Sequence, residues 1–129
     1  MGDFTRVNLK EVEDLAPRFG LSPALESRFA RTALGLRVAG LSYFGIAPGA
    51  RTPGHRHTDQ EEIYLVLSGS ARVRLDDEVI ELKAWDALRV PPETARGLEG
   101  GPEGAEILAF GAPSNENRDV VPLPDFWSD

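Results

Sequence analysis

The chain has no cysteine at all. That removes disulfides, thiolate nucleophiles and cysteine-based zinc sites together, and it gives no sign of secretion. Basic residues are few and scattered: Lys10 and Lys83 are the lysines, the rest are arginines, and the net charge is −7 with a pI near 4.8. A nucleic-acid or anionic-membrane binder needs a basic face to neutralise phosphates, and this composition supplies none. Long apolar runs are also missing; Tyr64 to Leu67 is among the longest and is far too short to span a bilayer. The first residues carry Asp3, Glu11, Glu13 and Asp14 without an apolar stretch, so no signal peptide is expected and a soluble cytoplasmic protein is the expectation. No Gly-rich phosphate loop is present, and no Ser/His/Asp arrangement can be assembled.

What is there suits a single globular domain spanning all 129 residues, with 41% hydrophobic and 27% charged residues. The 13 glycines and 10 prolines favour many short strands joined by tight turns. Asn8-Leu9-Lys10-Glu11 has capping-box spacing, followed by Val12 and Leu15-Ala16 on one face and Pro17 as a stop; this predicts a short N-terminal helix. Arg28 to Ala47 reads as two strands interrupted by glycines.

Glu61 to Leu67 and Ser70 to Leu75 flank Ser68-Gly69 and read as a hairpin with a two-residue loop. In that register Glu62, Tyr64, Val66, Ala71, Val73 and Leu75 share one face, an interior with one carboxylate. The alternative face would carry Arg72 and Arg74 into the core unpaired, so Glu62 and not Glu61 is the inward residue. Asp76-Asp77 turns the chain into strands at Glu78–Lys83 and Ala87–Val90, and Ala105 to Gly111 forms a last strand. Trp85 is expected to pack at the barrel end, and Phe126-Trp127 to dock, because an exposed tryptophan is costly. About eight or nine short strands make an all-β antiparallel sandwich or barrel.

The protein's two histidines, His55 and His57, stand one residue apart, so period-two spacing puts both imidazoles on one face. With Glu62 they make a set of two imidazoles and one carboxylate that leaves open positions on a divalent ion and suits Fe, Mn, Co, Ni or Zn. The bland alternative is three residues hydrogen-bonded in a wet cavity.

Gly49, His55, His57, Glu62 and Gly69 have the full spacing of the first cupin motif, and the resemblance covers roughly Arg28 to Ala112. It implies a jelly-roll, double-stranded β-helix barrel whose metal is held by these His and Glu residues and by one more histidine from a second motif. The segment Trp85 to Gly100 resembles that second motif in keeping Pro91 and Asp86, but Trp85 and Glu93 replace its glycines, Gly100 its asparagine and Arg96 its histidine. A guanidinium cannot ligate a metal and repels a neighbouring dication. Arg96 therefore pairs with Glu62, binds an anionic ligand, or turns to solvent. Tyr64 is either a pocket hydroxyl or a core tyrosine, and Gln60 either supports a histidine or is a solvated loop amide.

Three functions stay open: a metal-dependent oxygenase or isomerase acting on a small anionic molecule anchored by Arg96, a metal-free ligand-binding barrel, and a structural barrel with a vestigial site. No residue is singled out as catalytic. Ile63, Leu65 and Leu67 on the outer face suggest a homodimer.

Overall fold

The computed structural model describes residues 2–114 and 119–128. Eight strands form one antiparallel sheet: β1 (Leu25–Phe29), β2 (Gly40–Ile46), β3 (His55–His57), β4 (Glu61–Leu75), β5 (Glu78–Lys83), β6 (Ala87–Val90), β7 (Arg96–Ala112) and β8 (Val120–Pro122). The long strands β4 and β7 run antiparallel from end to end and belong to both halves of the molecule. In one half the order is β1-β2-β7-β4-β6; in the other it is β8-β3-β7-β4-β5. The sheet curls into an all-β barrel around Tyr64, Val66, Val73, Val90, Leu98 and Ile107. No helix among the described residues is long and apolar enough to cross a membrane.

Ser68-Gly69 is not a hairpin loop. β4 continues through it, because both of its edges are already hydrogen-bonded on either side of that point, to β6 and β7 before it and to β5 and β7 after it. Glu62 lies opposite Val90 and Gly111, not opposite Leu75. Gly69 has φ +71, and a Cβ there would collide with the Gly104 carbonyl. The inward set nevertheless stands: Tyr64, Val66, Ala71 and Val73 are buried, Arg72 is exposed. Val66 and Ala71 differ in parity, so a straight strand would put them on opposite faces; register shifts between Val66 and Ser68 and between Gly69 and Ala71 restore the phase. A positive-φ glycine serves a bulge as well as a turn, and only the long-range pairing distinguishes them. The hairpin lies at Asp76-Asp77, where Leu75 pairs with Glu78.

The N-terminal helix is replaced by two 3-10 turns, Leu9–Glu11 and Ala16–Phe19. Asn8 does cap, accepting the Lys10 N–H at 2.9 Å, but Val12 leaves in extended conformation. Asp14 bridges to Arg28 of β1, and its carboxylate accepts the N–H groups of Ala16 and Ser27. So short a segment cannot hold a helix against that competing pairing. Between β1 and β2 the chain makes one α-helical turn, α1 (Arg31–Leu34), closed by Gly35 in the left-handed region. Trp85 does not pack: it is 74% exposed, on a turn with φ +74, a conformation glycine favours. Phe126 and Trp127 do dock. Phe126 lies against Gly54, where any Cβ would overlap it, and the Trp127 indole N–H donates to the Thr52 carbonyl at 2.7 Å.

Candidate metal centre

Strand β3 carries His55 and His57, and the start of β4 carries Glu62, so two short pieces of chain bring three donors to one end of the barrel. The imidazoles stand edge to face with centroids 5.1 Å apart. His55 Nε2 lies 3.7 Å and His57 Nε2 3.8 Å from Glu62 Oε1, beyond hydrogen-bonding range. All three donor atoms fall within 4.8 Å of one another. Two donors each ~2.1 Å from a common ion would stand ~3.0–3.4 Å apart, so the three would have to draw inward to share one.

His57 is buried, and its Nε2 has no hydrogen-bond partner. Its other nitrogen, Nδ1, is 2.8 Å from Asp119 Oδ1. Asp119 Oδ2 accepts the backbone N–H groups of Asp59 and Gln60 at 2.8 and 2.7 Å. Burial works against charge on Asp119, but the His57 and backbone hydrogen bonds prevail and draw its pKa down to about 2. A carboxylate behind a histidine, with the far nitrogen unpaired and buried, is the arrangement that supports metal ligation.

Arg96 enters from the first residue of β7, in register with His55. It is fully buried, and of the three readings open to it the geometry has the first. Nη1 donates to Glu62 Oε1 at 3.0 Å, Nε to the Thr94 carbonyl at 2.9 Å, and Nη2 to the Pro91 and Pro92 carbonyls at 2.6 and 3.3 Å. The Tyr64 hydroxyl donates to the same Glu62 oxygen at 2.5 Å. Burial disfavours the charged form of Glu62, yet His55, Tyr64 and Arg96 together hold its carboxyl below the ordinary range. Burial and the Glu62 charge push the Tyr64 phenol well above its usual value, so it is a proton donor here and not a base.

Gln60 does not reach the imidazoles with its side chain, whose amide donates to the Pro113 carbonyl at 3.3 Å. Its link to His57 runs through its backbone N–H on Asp119. Asp119 itself, and the β8 strand that follows it, escape sequence reasoning: a single aspartate 62 residues from its histidine leaves no spacing signal.

The profile of the cupin domain family matches residues 42–110, more than half of the chain. An uncharacterized protein of Methanocaldococcus jannaschii is 35% identical over 73 residues, 56% of this chain and 58% of its own. The dimethylsulfoniopropionate lyase DddW of Ruegeria pomeroyi is 40% identical over 74 residues, 57% of this chain and 46% of its own. The chain thus spans about half the length of these curated relatives. Among solved structures, a cupin protein from Bacteroides fragilis superposes with a TM-score of 0.71 at 24% identity, covering 90% of this chain and 89% of that one. The oxalate decarboxylase of Bacillus subtilis gives 0.78 at 20% identity, covering 98% of this chain and 34% of that one.

Proposed function

The chain belongs to the cupin family, and from that premise we propose that His55, His57 and Glu62 bind a divalent metal that works on a small anionic molecule. The buried, partnerless Nε2 of His57 carries this reading. A polar atom in that state costs stability unless something occupies it. Fe, Mn, Co, Ni and Zn all suit the donor set.

Charge decides the ligand class. Without metal, Arg96 and Glu62 cancel. A dication leaves the pocket with a net positive charge, and a small anion offsets it. Arg96 stays in place, since three carbonyls hold it independently of Glu62. It therefore acts on the ligand as a fixed positive charge, with Tyr64 as the neighbouring proton-bearing hydroxyl. The substrates in the names of DddW and oxalate decarboxylase are both small carboxylates, which supports a small carboxylate here. The metal supplies Lewis acidity and open positions for substrate or oxygen, and a metal-dependent oxygenase or isomerase is the reaction class we assign. The Arg96–Glu62 ion pair favours a second reading, a metal-free barrel that binds ligand or is structural.

Elemental analysis of protein purified without a polyhistidine tag separates the two. Stoichiometric transition metal, lost in His57→Ala, is expected; none in either form leaves the metal-free reading. Arg96→His adds a fourth donor and should tighten metal binding at least roughly tenfold, the effect of ~1.4 kcal/mol.

We further propose that the outer face joins two copies. Ile63 and Phe110, 40% and 48% exposed, pair across β4 and β7, and Leu41 extends the row on β2. Leu65 and Leu108 form the row beside it. Light scattering should give a dimer at micromolar concentration and a monomer for Phe110→Glu; a wild-type monomer ends this proposal.

A further inference from the structure

We propose that Asp119 is a positioning residue for His57: it fixes the imidazole in the tautomer protonated on Nδ1 and so presents the Nε2 lone pair to the metal. The inference rests on the metal reading above. It is carried by the C-terminal segment, which neither motif includes.

A neutral imidazole has one N–H and one bare nitrogen, and an ionised carboxylate can only accept. With Asp119 Oδ1 at 2.8 Å from Nδ1, a neutral His57 carries its one proton on Nδ1, and Nε2 is then bare. Nothing else in the described pocket makes this choice, because Nε2 has no hydrogen-bond partner and Glu62 Oε1 is 3.8 Å away. The carboxylate cannot swing aside either. Its second oxygen is fixed by the N–H groups of Asp59 and Gln60, and the Thr58 N–H donates to the Asp119 carbonyl at 3.2 Å.

The segment that carries Asp119 is itself tied down. Strand β8 pairs with β3 residue for residue, Val120 with His57, Val121 with Arg56 and Pro122 with His55. Beyond it the Leu123 N–H donates to the Gly54 carbonyl at 3.0 Å, and Trp127 anchors on Thr52. The tail is thus a strap laid along the histidine strand, and its docked end holds the carboxylate in position.

Two measurements test this. In metal-free wild-type protein, nitrogen-15 NMR of the imidazoles should show His57 protonated on Nδ1 and bare on Nε2. In Asp119→Asn, whose carboxamide can donate or accept, the proton should redistribute toward Nε2. A purely structural role would not move this signature. Titration with Co(II) alone should then show affinity roughly 10–100-fold weaker in Asp119→Asn, with Asp119→Glu recovering part of it. A wild-type His57 protonated on Nε2 overturns the inference, as does an unchanged Co(II) affinity with an unchanged tautomer in the variant. If wild type binds no Co(II) but shows the Nδ1 tautomer lost in Asp119→Asn, the metal reading fails while Asp119's control of the imidazole stands. Should Asp119→Asn not fold, the wild-type spectrum alone still decides the tautomer.

Discussion

On the β3 side of the pocket, His57 is buried with one nitrogen unpaired, and His55 is a quarter exposed with no firm partner. On the β7 side, Arg96 is buried more deeply still, yet its donors reach Glu62 and three carbonyls. Both sides are polar, both lie at the same end of the barrel, and β3 and β7 touch at His55 and Arg96. Burial costs every such group its hydration, and a guanidinium costs far more than an imidazole. The arginine is compensated in full, so it is part of how the barrel closes. The histidines are left incomplete, which is tolerable for a neutral ring and useful only for a ligand that arrives later. The β7 side holds the barrel together while keeping a fixed charge at the pocket, and the β3 side is left for the metal.

The largest expected effect follows on the β7 side. Arg96→Met keeps the volume and removes the charge, leaving Glu62 buried with only Tyr64 donating to it and the Thr94 carbonyl without its donor, while the Pro91 and Pro92 carbonyls keep the Thr94 and His57 N–H groups. Breaking a buried pair in this way costs about 3–5 kcal/mol, to be read from urea denaturation of metal-free protein. Adding Glu62→Leu should recover part of the loss, because an apolar pair strands no charge. A cost for Arg96→Met below about 1 kcal/mol would erase the distinction between the two sides, since it would rank Arg96 with ordinary surface residues.

The same contrast explains what is legible in the sequence. The donor side is nearly all local: His55, His57 and Glu62 lie within eight residues, and strand alternation alone aims the imidazoles together. A hairpin that does not exist still places Glu62 inward, because the register shifts on either side of Ser68-Gly69 and a two-residue loop change the alternation by the same parity. The β7 side is legible as a substitution, Arg96 where a histidine would stand, but its partners are not. Three of them are backbone carbonyls of a proline-rich loop whose conformation no periodicity encodes. Asp119 is harder still, since β8 exists only because β3 offers it an edge. The N-terminal helix and the packing of Trp85 fail for the same reason: local propensity is overridden by pairing with β1 in one case and by a turn's backbone angle in the other. Docking of Phe126 and Trp127 follows from hydrophobicity, though its place against Gly54 and Thr52 does not.

The smallest expected change in stability comes from the donor side, and it is the sharper half of the contrast. His55 is 25% exposed, and its Nδ1 approaches the Pro53 carbonyl only at 3.5 Å, the outer limit of a hydrogen bond. Its Nε2 stands 3.7 Å from Glu62, whose charge is already met by Arg96 and Tyr64. An ion pair that long and partly solvated contributes little. His55→Ala in metal-free protein should therefore shift the unfolding free energy by about 1 kcal/mol or less, while Co(II) binding falls below detection because two donors remain where three converged. The pairing of results matters more than either alone. Stability lost together with metal binding, on the scale of Arg96→Met, would mean that the imidazoles also hold the barrel shut. Stability kept while metal binding is lost assigns the incompleteness of the β3 side to the ion it is built to receive.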